Sequence, residues 1–315
     1  MRELKCALAN LHQGGWSCPG PSIGPILNRG FYNFQLLREM MAPTVGDAPH
    51  LITVCEGWKW DDDGQAAALF AAHVLSDQLG RPYVPLAGWL PQIPSPPVVF
   101  YDAAELALEF WGDRHHEVLD RRNLALFHPR GRHRSQFQLK AAHWPYASGV
   151  ARLEVAKQDA RYGTDPLPTV YAGDLNGIAS GPHLTRHWDQ VPEDKKPHKG
   201  KNIDGIWVPD TDALDYLLDP WAGGHDGKRT GNPLFHACEE AFGVTGPDAE
   251  NALLPTVNTG PHNPGGSGLL IDWALHNRAW QGGVVRGSVR VEIPPPDRTP
   301  PSDHRLKLWT MELPA

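Results

Sequence analysis

Short apolar runs of six to ten residues recur from one end of the chain to the other. LKCALANL (4–11) and HLITVCEG (50–57) read as buried strands, as do PPVVFYD (96–102), NLALFH (123–128) and SQFQLKAAHW (135–144). LPTVYAGDL (167–175), GLLIDWALH (268–276), GSVRVEI (287–293) and HRLKLWTMEL (304–313) extend this to at least eight strands. Three segments carry apolar residues at helical spacing: FYNFQLLREMMA (31–42), GQAAALFAAHVLSDQLG (64–80) and GVARLEVAKQDARYG (149–163). Asp61, Asp62 and Asp63 are expected to cap the second helix and Gly80 to end it. The late strands lack intervening helices, so the order predicts two packed sheets with helices outside them.

Between Ile178 and Gly266 this pattern stops. PEDKKPHKGKN, DPWAGGHDGKRTGNP and NTGPHNPGG are turn-rich, with two helical stretches, TDALDYLLDP (211–220) and PLFHACEEAFG (233–243). The expectation is one domain over 1–315 with a long loop-rich insertion at about 178–266.

The 315 residues, 41% of them hydrophobic, can bury a large core, and a net charge of −7 argues against an indiscriminate polyanion binder. A local basic groove remains compatible with that charge. Gly (32) and Pro (31) together stay below the content that marks disorder, and the 12 tryptophans favour an ordered fold. Cys6, Cys18, Cys55 and Cys238 show no paired or zinc-binding spacing, which predicts reduced thiols in a cytoplasmic protein. No signal-peptide pattern opens the sequence, and no apolar stretch approaches the ~18 residues of a membrane span.

Several strands end in residues that an apolar core would not choose. VYAGDLNG places Asp174 and Asn176 two apart, so an extended chain would project both from one face. Asn10, Glu56 and His143 stand at the ends of other strands, Asp272 lies within LLIDWAL, and Asp303-His304 precede the last strand. Each has a bland explanation alone: a turn, a helix cap or a satisfied core histidine.

Together they resemble the endonuclease/exonuclease/phosphatase superfamily, the metal-dependent phosphodiesterases that include DNase I, abasic-site endonucleases, sphingomyelinases and inositol-phosphate phosphatases. The motifs appear in the family's order: LANLH, TVCEG, KAAHW, AGDLNG, LIDWAL and PSDHR. The resemblance spans Leu4 to Leu313 apart from the insertion. It implies a four-layered α/β sandwich of the DNase I type, two packed mixed or mainly antiparallel sheets flanked by helices, with the site at one edge. It also implies Mg²⁺ or Mn²⁺, hard cations that prefer oxygen ligands. Glu56 would be the main ligand, with Asn10 orienting it or reaching the metal through water, and Asp303 a further ligand. Asp174 would orient or deprotonate the attacking water, and Asn176 would donate to a phosphoryl oxygen. His304 would bind phosphate or assist the base, its tautomer set by Asp272, while His143 would contact phosphate or protonate the leaving oxygen. Arg152 and Gln158 match the family's helix after the His strand. His143 departs from the abasic-site branch, which usually carries Tyr there. The DNase I branch gives that His an acidic partner, for which Asp102, Glu105, Asp113 and Glu117 are candidates.

Two basic stretches flank these motifs. Arg121-Arg122 with HPRGRHR (128–134), and Lys195, Lys196, Lys199 and Lys201, are either solvated loops or arms that grip phosphates. Trp188 or Trp207 would then offer a stacking surface. WKWDDDG has its acids in the wrong register for a calcium loop, and His115-His116 reads as surface. The function expected is a divalent-metal-dependent phosphodiester hydrolase, foremost a DNase-like nuclease with DNA as substrate. A phosphatase or phosphodiesterase for a small molecule or lipid headgroup is the alternative, and a non-catalytic binding protein a further one.

Overall fold

Strand pleating sorts the apolar residues into layers. The computed structural model describes residues 1–315 except 17–25, 28–29, 91–94, 114–120, 182–183, 185–187, 225–226, 259–266, 281 and 314–315. One sheet holds β1 (Glu3–Asn10), β2 (Leu51–Cys55), β3 (Tyr83–Ala87) and β4 (Val98–Asp102). The other holds β5 (Leu106–Trp111), β6 (Leu124–Pro129), β7 (Phe137–His143), β8 (Thr169–Asp174), β9 (Phe235–Ala237) and β10 (Asp272–Asn277). The chain then returns to the first sheet with β11 (Arg290–Val291) and β12 (Lys307–Glu312). The strand orders are β11-β12-β1-β2-β4-β3 and β9-β10-β8-β7-β6-β5. In each sheet one central pair, β1–β2 or β7–β8, is parallel and the other pairs are antiparallel.

Leu4, Cys6 and Leu8 face inward between the sheets, where they meet Leu139, Val170 and Ala274 of the second sheet. The alternate residues Ala7 and Ala9 face outward and pack beneath α1 (Gln35–Met41) and α2 (Ala66–Leu79). On the far side, α3 (Gly149–Asp159) and α5 (Asp212–Leu218) cover Tyr171, Trp273 and Leu275. Between them in sequence lies the single turn α4 (Lys196–Lys199), and α6 (Pro247–Ala252) follows later. The result is the expected four layers: helices, sheet, sheet, helices.

The strands absent from the sequence reading, β3, β5 and β9, are all at or next to open sheet edges, where patterning is least demanding. Pro85 within β3 argues against a strand, yet its missing N–H is tolerated at an edge. PLFHACEEAFG, expected as a helix, instead forms β9 and a 3₁₀ turn at Cys238–Glu240. A short apolar run does not distinguish the two by period. Nor do the three aspartates cap α2: its first turn follows Gln65 in a left-handed conformation, with no capping side-chain bond. Gly80 does end α2, at φ 67° with its N–H bonded to Ser76 O. Cys6, Cys55 and Cys238 are buried free thiols; Cys18, Glu117 and the His115-His116 pair lie outside the described residues. Among the described residues, no helix is long and apolar enough to cross a membrane.

Candidate active site

The inward faces that build the core also deliver the polar residues to one place. Along β1 the inward series Leu4, Cys6, Leu8 runs on to Asn10, and along β7 the series Phe137, Leu139, Ala141 runs on to His143. Val170 and Ala172 lead to Asp174 in the same way, and Asp272 stands directly opposite Asp174 in the antiparallel β8–β10 register. Parallel pairing puts Asp174 beside His143. A polar residue one step past each apolar series therefore reaches the inter-sheet edge without breaking the core.

One amide bridges the two sheets there. Asn10 Nδ2 donates to Glu56 Oε1 at 3.2 Å and to Asp174 Oδ2 at 3.1 Å. Glu56 Oε2 accepts from Gln13 N at 2.7 Å. Glu56 follows β2 at φ 61°, a left-handed conformation that turns its side chain back into the site. Gly14 and Gly15 permit the turn that brings Gln13 there: a Cβ on Gly14 would stand 2.6 Å from Trp60 Nε1.

Asp174 also carries the turn that its sequence suggests. Its Oδ1 accepts from Asn176 N at 2.8 Å, and Asn176 has φ 48°. The strand ends at Asp174, so strand alternation does not place Asn176 beside it; the turn does. Asn176 Nδ2 donates to Trp144 O at 3.1 Å, and its Oδ1 accepts from Lys199 Nζ at 2.5 Å.

His304 is aimed by Asp272, whose Oδ2 lies 2.7 Å from Nδ1. Burial opposes charge on this imidazole, but Asp272, then Asp174 and Asp303, hold it well above its ordinary value. Burial, reinforced by Asp272, raises the Asp174 carboxyl. The Nε2 atoms of His304 and His143 each stand 3.9 Å from Asp174 Oδ2, beyond direct hydrogen bonding. His143 Nδ1 contacts the carbonyl of Ser95 at 3.1 Å. That backbone group occupies the place expected for an acid; Asp102 instead pairs with Arg81 at 2.5 Å.

Glu56, His143, Asp174, Asn176 and His304 line a cleft of about 460 Å³ with Trp58, Tyr146, Lys195 and Lys199 on its walls. A larger depression of about 690 Å³, near Trp221, His236 and Phe242, contains none of them. Asp303 reaches the cleft paired with His12 Nδ1 at 3.6 Å. Burial works against its ionisation, but His12 and His304 hold it well below the usual carboxylate range. The same pairing raises His12. Ser302 Oγ donates to Asn10 O at 2.6 Å and accepts from His304 N, tying the two motifs together.

Three expected substrate contacts lie elsewhere. Arg152 is 1% exposed, its guanidinium directed to the carbonyls of Pro145, Tyr146 and His198 and to Asp210, so it braces the wall rather than facing the cleft. Lys201 pairs with Asp212 at 2.7 Å outside the cleft. Trp188 is buried against Ile178, Leu269 and Ile271 and offers no stacking face, and Trp207 packs against the same cluster. Lys199, expected on an exposed arm, is 3% exposed and holds Asn176. His12, Gln13 and Ser95 also line the cleft without a role expected from the sequence, and Ser302 stands within the PSDHR motif. LANLH contains His12 and PSDHR contains Ser302, whereas a backbone carbonyl such as that of Ser95 leaves no trace in residue type.

The donor set suits a hard divalent cation. Glu56, His143 and Asp174 present ligand atoms within 4.8 Å of one another, as do Asp174, Asp272 and His304. Asp272 Oδ1 is moreover buried without a hydrogen-bond partner. Glu56 and Asp174 supply anionic oxygens, which Mg²⁺ and Mn²⁺ prefer. Asn10 points its amide nitrogen at both carboxylates and so orients them.

No protein-family model matches the sequence, and no curated protein matches it. Among solved structures, an AP endonuclease from Archaeoglobus fulgidus superposes with a TM-score of 0.56 at 13% identity, over 98% of this chain and 99% of that one. ANGEL2, a 2′,3′-cyclic phosphatase, gives a TM-score of 0.53 at 12% identity, over 98% and 95%. An endonuclease/exonuclease/phosphatase family protein from Bacteroides thetaiotaomicron gives 0.50 at 14% identity, over 99% and 98%. With its two mixed six-stranded sheets between helices, the chain has the DNase I-like fold of the endonuclease/exonuclease/phosphatase proteins.

Proposed function

We propose that the chain is a divalent-metal-dependent phosphoester hydrolase. The observation that carries this reading is the continuous set of contacts from Glu56 through Asn10 to Asp174, facing His304 held by Asp272. Glu56 and Asp174 would hold Mg²⁺ or Mn²⁺, which when bound neutralises charge on the phosphoryl oxygens. Asp174, whose Oδ2 faces both His304 and His143 across 3.9 Å, is the group to orient a water and accept its proton. His304 keeps Nδ1–H on Asp272 and, held protonated by it, can donate Nε2–H to a phosphoryl oxygen. His143, with Nδ1 committed to Ser95 O, presents Nε2 to the leaving oxygen. Asn176 keeps one amide N–H for the substrate while Lys199 fixes its carbonyl.

A nuclease remains the first substrate reading. The cleft shares His143 and Trp144 with a second depression of about 610 Å³, where the Arg122 guanidinium lies 4.0 Å over the Trp89 ring. An extended phosphodiester could run from one to the other. A compact phosphoester is the second reading, favoured by the fate of the lysine run: Lys196 pairs with Glu193, Lys201 with Asp212, and Lys199 is buried.

Plasmid DNA, a single-stranded oligonucleotide and a phosphomonoester panel, each with Mg²⁺ or Mn²⁺ and with EDTA, separate these readings. Monoester turnover without nucleic-acid cleavage would remove the nuclease, and no metal-dependent turnover of any phosphoester would remove the hydrolase. Asp174→Ala is expected to lower turnover at least ~100-fold with its circular dichroism unchanged.

A further inference from the structure

Far from the cleft, three side chains with metal-binding atoms converge on the outer edge of the second sheet. His128 Nε2 lies 3.2 Å from His133 Nδ1 and 3.5 Å from Glu109 Oε1. All three ligand atoms fall within 4.8 Å of one another. We propose that Glu109, His128 and His133 form a zinc site that fastens the turn between β6 and β7 to the edge strand β5.

Three features support a built site. The spacing comes first: with Zn–N and Zn–O bonds of ~2.0–2.2 Å, adjacent ligands of a tetrahedral ion stand about 3.3–3.5 Å apart. The separations from His128 to its two neighbours, 3.2 and 3.5 Å, lie within about 0.1 Å of that edge length. Second, two of the ligands are oriented from behind. His128 Nδ1 lies 2.9 Å from Pro129 O, which requires an N–H there and leaves the Nε2 lone pair facing the other two groups. Gln136 Nε2 donates to Glu109 Oε2 at 2.6 Å, leaving Oε1 free to ligate. Third, the backbone is shaped to present Glu109. Leu108 pairs with Phe127 and Phe110 with Leu126, so Glu109 is the extra residue of a β-bulge, a device that redirects a side chain.

The donor chemistry selects the metal. Two imidazoles and one carboxylate suit zinc, with a fourth position left for water, and do not suit Mg²⁺ or Ca²⁺. His128 is buried while Glu109 and His133 reach solvent, so an ion can enter and the exposed His133 ring can turn its lone pair toward it. His143 lies six residues beyond Phe137, the start of β7, or roughly 20 Å along the strand. The zinc site is thus a structural clip, separate from the metal proposed for catalysis.

The full chain, stripped with EDTA and returned to metal-free buffer, is titrated with Zn²⁺ against a chromophoric chelator. One tight equivalent is expected for the wild type. His133→Ala and Glu109→Gln should each weaken it at least tenfold, and Gln136→Ala, which touches only a ligand, by about 10–100-fold. Glu56→Gln should leave it unchanged. Co²⁺ in place of Zn²⁺ should give the intense visible absorption of a tetrahedral ion, lost in His133→Ala. Zn²⁺ should raise the thermal midpoint of the wild type and not that of His133→Ala, whose exposed position keeps the variant foldable. The proposal is overturned if the wild type binds Zn²⁺ no more tightly than His133→Ala, or if the tight equivalent disappears in Glu56→Gln instead.

Discussion

Lys199 couples the protonation of a buried amine to the geometry of the cleft. Its Nζ donates to both Asn176 Oδ1 and Asn176 O and lies 4.8 Å over the Tyr146 ring. Burial brings its pKa down to about 7, against the pull of Asp174. Below that pH it is an ammonium beside the proposed phosphate position, and above it a neutral donor that still holds Asn176. Lys199→Met should therefore lower kcat/KM by about tenfold or more at pH 6, and the wild-type-to-variant ratio should shrink as pH passes 7. A ratio flat from pH 5.5 to 8.5 would mean that Lys199 acts only by holding the amide. Stability follows the same group. An unfolded lysine titrates near ~10.4, so between about 7 and there the unfolded state binds the extra proton. The Lys199 contribution to stability therefore rises with pH across that window and is lost as pH falls through it. At this scale the sequence exposed the residues that terminate inward-facing series: Asn10, His143 and Asp174. It did not expose what Lys199, Arg152 and Trp188 do, because whether a loop side chain points in or out depends on packing that its own neighbours in sequence do not determine.

The parallel pair β7–β8 carries His143 and Asp174 side by side, so the separation of these strands sets the spacing of the proposed acid and base. Gly173 permits that approach: a Cβ there would stand 1.8 Å from Ala142 O, a backbone atom that no rotamer change can move. Gly173→Ala should cost about 3 kcal/mol or more in urea unfolding, with turnover falling as the two strands part. A cost below ~1 kcal/mol would mean that the pair can open freely and that the glycine is incidental. Legibility at this scale follows position in the sheet. β1, β2, β7 and β8, buried on both faces, announce themselves as apolar runs. The edge strands β3 and β9 do not, since one side of an edge has no partner to satisfy and tolerates Pro85 or a run that reads equally as helix.

Across the whole molecule, a buried ion pair ties the first sheet to the turn after β9 and also bears on the site. Lys307, 0% exposed on β12 of the first sheet, donates to Glu239 Oε1 at 2.5 Å and to the carbonyl of Asp272 on β10 of the second. Glu239 Oε1 accepts in turn from Ala274 N at 2.9 Å. Fold stability and the placement of Asp272, hence the aim of His304, therefore share one group. Inward pleating explains the position, because Lys307 belongs to the same series as Trp309 and Met311, which pack between the sheets. The sequence shows only a lysine within an apolar strand; its partner comes from a turn 68 residues earlier. Lys307→Met should remove about 3–5 kcal/mol, because it strands a carboxylate in the core. Lys307→Met with Glu239→Gln keeps an acceptor for Ala274 N while removing the charge, and should recover a large part of that loss. If the pair is coupled in this way, the double-variant cost falls short of the sum of the singles by about 1–3 kcal/mol in chemical denaturation. Strict additivity would show the two groups to be independent. Turnover measured well below the unfolding midpoint distinguishes the second role: both variants lacking Lys307 should lose activity, because Asp272 O has lost its donor, even where the double variant has regained stability.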